Sequence, residues 1–130
     1  MSLSRVKLKE LANFFKSVPL IKLVYLFGSH ARGSADKFSD FDFAIYVDTL
    51  DRELASDLLL KMLAKIPLIL STDKVDVVML NLIDNLILKN NIIMEGKLIF
   101  EVPGYRLNYE LPTLGEYRDF RIMEKQYYSD

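Results

Sequence analysis

The chain reads as an α/β (α+β) fold, a small mixed β-sheet with helices packed on it, in 130 residues. Three observations predict that class. Apolar residues recur at three- and four-residue spacing in some stretches and at two-residue spacing in others. The two kinds of stretch follow one another as helix, strand, strand, helix, strand, helix, strand, helix. A composition of 51% hydrophobic and 27% charged residues belongs to an ordinary globular chain with a real core. The length suits a single domain over 1–130, with 23–80 as its core motif.

Leu8, Leu11, Phe15 and Val18 predict an amphipathic first helix, ended by Pro19. "LIKLVYLF" reads as a strand from Lys22 to Phe27, apolar enough to be buried on both faces. Residues 38–47 read as a second strand. There Phe41, Phe43, Ile45 and Val47 share one face, and Asp40, Asp42, Ala44 and Tyr46 share the other. "DRELASDLLLKMLAKI" carries a helical stripe of Leu54, Leu58, Met62 and Ile66 and is expected to close at Pro67. "KVDVVML" is a third strand. A helix from about Leu82 to Glu95, capped by Gly96, leads into a short strand, "KLIFE". "VPGYRLNYELP" holds two prolines and a glycine and reads as a loop. A last helix is expected over about 113–128, with Leu114, Tyr117, Phe120 and Tyr127 buried. Lys7, Lys9 and Lys16 read as a solvated helix face.

The formal net charge of -1 argues against a protein that coats nucleic acid. Its charges are unevenly placed: Arg5, Lys7, Lys9, Lys16, Lys22, Arg32 and Lys37 crowd the first third, and Asp40, Asp42, Asp48, Asp51, Glu53 and Asp57 follow. A positive flank beside an acidic cluster suits a polyanion held through metal ions, although solvated faces look similar. The absence of cysteine excludes disulfides and thiolate metal sites. Lys7, Lys9 and Glu10 interrupt any signal-peptide core, and charges and Pro67 break the apolar region 54–70, so no membrane span and a cytoplasmic location are expected.

The unusual stretch is "FGSHARGSADKFSDFDFAIYV". Residues two apart on a strand project from one face, so Asp40 and Asp42 enter the same space. Two like charges that close are costly unless a cation neutralises them. Mg²⁺ prefers carboxylate oxygens and keeps substrate phosphates in its remaining positions. A third carboxylate would complete such a site. Asp76 is the candidate, because it interrupts an otherwise apolar strand where an unpaired charge is expensive. Gly28 and Ser29 let a phosphate approach the backbone, and a short helix begun by "SHARG" would turn its positive end toward that anion. Arg32 adds a charged donor. Each piece alone has a plainer reading: a turn, a solvated strand edge, a surface pair of Asp76 with Lys74. His30, the only histidine, is not required by a two-metal scheme.

"GSHARGSADKFSDFD" resembles the signature of the nucleotidyltransferase superfamily that includes DNA polymerase β and the aminoglycoside nucleotidyltransferases. The short length, the "ARG" after Gly-Ser and the segment "MEGKLIFE" look like its minimal nucleotidyltransferase branch, over roughly residues 20–101. Members of that branch are often encoded beside a HEPN-domain protein and include MntA-type antitoxins. The resemblance implies that Gly28, Ser29 and Arg32 hold the triphosphate of ATP. It implies that Asp40, Asp42 and Asp76 are the catalytic carboxylates and bind about two Mg²⁺ ions. It further implies transfer of AMP to a tyrosine of a HEPN ribonuclease toxin, which silences the toxin. Two alternatives stay open: transfer to a small molecule such as an aminoglycoside, and an antitoxin that acts by binding alone. The sequence leaves a homo- or hetero-oligomer open, and it assigns the C-terminal helix no role.

Overall fold

The computed structural model describes residues 3–128. Helix α1 (Arg5–Lys16) starts on Ser4, whose side chain accepts the Lys7 amide, and ends before Pro19. Strand β1 (Ile21–Phe27) is buried along nearly its whole length. Its position explains this: it lies inside the sheet, paired antiparallel with β2 (Phe41–Val47) on one side and β4 (Lys97–Glu101) on the other. Between β1 and β2 stands a four-residue helix, α2 (Ser29–Arg32). Strand β3 (Val75–Met79) joins β2 in parallel, giving the order β3-β2-β1-β4.

A parallel neighbour needs a crossover. Helix α3 (Arg52–Leu70) supplies it, begun by Asp51, whose carboxylate accepts the Glu53 and Leu54 amides. With α1 it covers the first face of the sheet, where Leu11 and Phe15 meet Ile21, Val24, Phe43, Ile45, Met62 and Ile66. Helix α4 (Leu86–Glu95) and the start of α5 (Arg106–Tyr128) lie against the second face, on Leu23, Tyr25 and Ala44. Phe41, Phe43, Ile45 and Val47 thus face one layer and Ala44 and Tyr46 the other, as the alternation predicts.

Several boundaries differ from the sequence reading. Pro67 does not close α3; it sits inside, and the helix ends only at Ser71, in the left-handed region at φ 56°. The lost hydrogen bond is tolerated because Ile69 and Leu70 pack on the first-face core beyond it. Leu54 lies at the edge of exposure at 36%, and Ala55 takes the buried place beside Met62 and Ile66. Leu80–Leu82 form a short 3₁₀ turn, so α4 begins after Asn85, whose side chain accepts the Leu88 amide. The expected loop 102–112 is mostly helix. α5 starts at Arg106 and carries Pro112 inside, because burial of Glu110 and Thr113 beside Tyr109 on the second face outweighs one missing bond. Tyr127, expected to be buried, is 79% exposed. Lys7 is only partly solvated: its Nζ donates to the Ile69 carbonyl at 2.8 Å and ties α1 to the end of α3.

Candidate active site

The end of β1 and the starts of β2 and β3 meet at one end of the sheet. Phe27 stands opposite Asp42, and Asp42 stands beside Asp76 in the parallel register. Register partners on adjacent strands share a face, so Asp42 and Asp76 project together on the second face. Asp40 lies just before β2, outside the ladder and exposed. Two of the three carboxylates singled out from the sequence, Asp42 and Asp76, therefore stand side by side on strands, and Asp40, on the lead-in, is near enough for its charge to act on Asp42.

Gly28 follows β1 with φ 72° and ψ -153°, a conformation that residues with a Cβ rarely adopt. A Cβ built there would strike Oδ2 of Asp42. Glycine is required twice over: it turns the chain into α2, and it lets the Asp42 carboxylate lie against the backbone. In α2 the amides of Ala31 and Arg32 donate to the Gly28 carbonyl, both at 3.1 Å, so those of Ser29 and His30 precede the first intrahelical bond. Gly33, at φ 76°, ends the turn.

Burial holds the Asp42 carboxyl above the usual carboxylate range, and the charges of Asp76 and Asp40 push it further. His30 and Arg32 oppose the shift. Asp42 is therefore a reluctant anion in the protein alone, and its ionisation costs stability as pH rises through its raised value. A cation beside it removes that cost. Asp76 is exposed, and its Oδ1 accepts the Val77 amide at 2.9 Å. The plainer reading of Asp76, a pair with Lys74, does not form: Lys74 donates to the Lys37 carbonyl at 2.8 Å and lies over the Phe38 ring. Arg32 is half-exposed, 3.9 Å from Glu95 at the end of α4.

Among the described residues no three His, Asp or Glu side chains converge as a ready-made metal cage. The donors still fit a hard divalent ion, since all are carboxylate oxygens and the most buried one lies in a cradle only glycine leaves open. Phosphate and water oxygens would complete the shell. Surface concavities of about 340 Å³ at Phe120, Met123 and Tyr127 and about 370 Å³ at Gly104 and Leu107 involve none of these carboxylates.

Sequence reasoning passed over His30. It is buried and stacks on Phe41 with ring centroids 3.8 Å apart. The only signal in the sequence is its place after Ser29 in the turn.

The family model for the polymerase β nucleotidyltransferase domain matches residues 9–103, the stretch that carries every one of these residues. The chain belongs to that family. Within this nucleotidyltransferase family it is similar to the protein adenylyltransferase MntA of Aphanizomenon flos-aquae (strain 2012/KM1/D3). The two are 33% identical over 106 residues, which span 75% of this chain and 69% of the relative. Among solved structures, a toxin–antitoxin with AMP-PNP is 26% identical at a TM-score of 0.69, covering 95% of this chain and 94% of that one. A tri-AMPylated Shewanella oneidensis HEPN toxin in complex with its MNT antitoxin matches at 22% identity and a TM-score of 0.67, covering 95% and 93%, a likeness of fold. Among the described residues no helix is long and apolar enough to cross a membrane.

Proposed function

We propose that this nucleotidyltransferase, one domain over 1–130, transfers AMP from ATP to a tyrosine hydroxyl of a cognate HEPN ribonuclease toxin in the cytoplasm and so acts as its antitoxin. The observation that carries the reading is the placement of Asp42 against Gly28, with Asp76 beside it and Asp40 one step away. The MntA relative named for protein adenylylation supports the reaction class, and the AMP-PNP-bound toxin–antitoxin supports nucleotide and partner.

In this scheme the amides of Ser29 and His30, the Ser29 hydroxyl and Arg32 bind the triphosphate. Asp40, Asp42 and Asp76 hold about two Mg²⁺ ions, which supply charge stabilisation for the attacking hydroxyl and the departing pyrophosphate. The hydroxyl oxygen bonds to the α-phosphorus, the bond from that phosphorus to the bridging oxygen of the β-phosphate breaks, and pyrophosphate leaves. Asp76 receives the hydroxyl proton on Oδ2, because Oδ1 is engaged by the Val77 amide.

The test is label transfer. The chain is incubated with a candidate HEPN partner, Mg²⁺ and ATP labelled at the α-phosphate. Label on the partner with the mass of AMP, absent with Asp42→Asn, is the expected result. Tight complex formation with bound ATP but no label would replace it with an antitoxin that acts by occlusion.

A further inference from the structure

His30 is 4% exposed, and its side chain takes no part in the transfer as described. Its ring lies almost parallel to that of Phe41, at an interplanar angle of 16°. Its Nε2 is 3.4 Å from the Ser39 carbonyl oxygen. One imidazole therefore touches the residue before Asp40 and the residue after it.

That bracket matters because of where Asp40 sits. The Asp42 backbone is fixed by its strand, and its carboxylate lies against Gly28. Strand β2 begins only at Phe41, whose amide donates to the Lys74 carbonyl at 2.9 Å. Ser39 and Asp40 lie outside the ladder, and an exposed carboxylate on irregular backbone samples many arrangements unless something ties it down. We infer that His30 is a positioning residue: stacked on Phe41 and set against the Ser39 carbonyl, it fixes the backbone of Asp40 relative to Asp42. The inference rests on the nucleotidyltransferase reading above.

The stack carries more of this than the polar contact. At 3.4 Å the nitrogen lies beyond the common range of N–H···O bonds, whereas the rings are in full contact. The contact with Phe41 calls for a flat ring at position 30.

The experiment compares the full chain with His30→Phe, His30→Gln and His30→Leu, each checked for its melting temperature. Phe keeps a flat ring, Gln keeps a polar reach, and Leu keeps bulk alone. The first readout is the mobility of the Ser39, Asp40 and Phe41 amides by NMR without metal or nucleotide. The second is Mg²⁺ affinity by titration with MgCl₂ alone, and the third is kcat and KM for AMP transfer. His30→Phe is expected to retain wild-type order and Mg²⁺ affinity. Gln and Leu are expected to loosen 39–41, weaken Mg²⁺ binding about tenfold, as for groups that orient metal ligands, and lower kcat with KM for ATP little changed. Wild-type order and Mg²⁺ affinity in Gln and Leu overturn the inference, and so does a Phe variant that behaves like Gln. If the Leu variant does not fold, the Phe and Gln pair decides. Ordering of 39–41 that needs a ring at position 30, in a wild-type chain that transfers no AMP, would sink the transferase reading and leave the bracket standing.

Discussion

Glu110 and Asp42 each bring a carboxylate to the second face of the sheet, in opposite surroundings. Glu110 is buried, accepts the Tyr25 hydroxyl at 2.7 Å on Oε2 and lies 3.3 Å from Arg106 Nε. Both neighbours are donors, so the charge is matched where it sits, and the result is a clamp between the middle of β1 and the start of α5. Asp42 feels the carboxylates of Asp76 and Asp40, which His30 and Arg32 only partly oppose, and it lies against a glycine that leaves room. A fold that only needed to be stable would treat both acids as it treats Glu110. The difference teaches where this chain accepts electrostatic cost, and hence where we propose that a cation and phosphates bind.

The strongest way to break that contrast is Asp42→Asn. Transfer of α-labelled AMP should fall at least about 10²-fold, the scale of removing one preorganised electrostatic group. The melting temperature without metal should stay level or rise, because repulsion from Asp76 and Asp40 is relieved. A variant that melts well below wild type would show that Asp42 is structural, like Glu110.

Gly28→Ala comes next. The added Cβ meets Asp42 and the backbone is left-handed there, so stability should drop by about 1–2 kcal/mol in urea unfolding. Transfer should fall up to about 10²-fold through displacement of the carboxylate. Equal activity in the two proteins would mean that the cradle does not matter.

Tyr25→Phe probes the other carboxylate. It removes a buried donor from Glu110 and should cost about 1–3 kcal/mol of stability with AMP transfer unchanged. Burial and the bond to Glu110 push the Tyr25 hydroxyl far above its ordinary value of 10.0. The stability this contributes is complete below pH 10 and is lost as pH rises further, so the alkaline fall in unfolding free energy should be shallower in the Phe variant. Matching alkaline profiles in the two proteins would refute the clamp. Arg106→Gln should have the smallest effect, up to about 1 kcal/mol, because its side chain is half-exposed. A larger loss would make Arg106, rather than Tyr25, the main partner of Glu110.

The first-face core was legible because it is periodic. Phe41, Phe43, Ile45 and Val47 alternate with their neighbours, and Leu11, Phe15, Met62 and Ile66 keep helical spacing, so the sequence predicts which layer each joins. The candidate site was legible for a different reason: Gly28, Ser29, Asp40 and Asp42 lie within one short stretch, and their chemistry makes little sense apart. The start of α5 was not legible. Two prolines and a glycine within 102–112 read as a loop, and only the pull of Tyr105, Tyr109 and Glu110 onto the second face carries the helix through Pro112. Nor was the role of Pro67, whose local preference is overruled by burial beyond it.

The sequence by itself determined the fold class, the order of elements and the short motif, because each depends on residues near one another along the chain. Only the tertiary structure decided that Asp76 stands beside Asp42, that Lys74 turns away from it, and that Tyr25 meets Glu110. The physical reason is register. Which side chains become neighbours across strands and layers depends on how the sheet pairs and what each helix buries, and no local spacing encodes that.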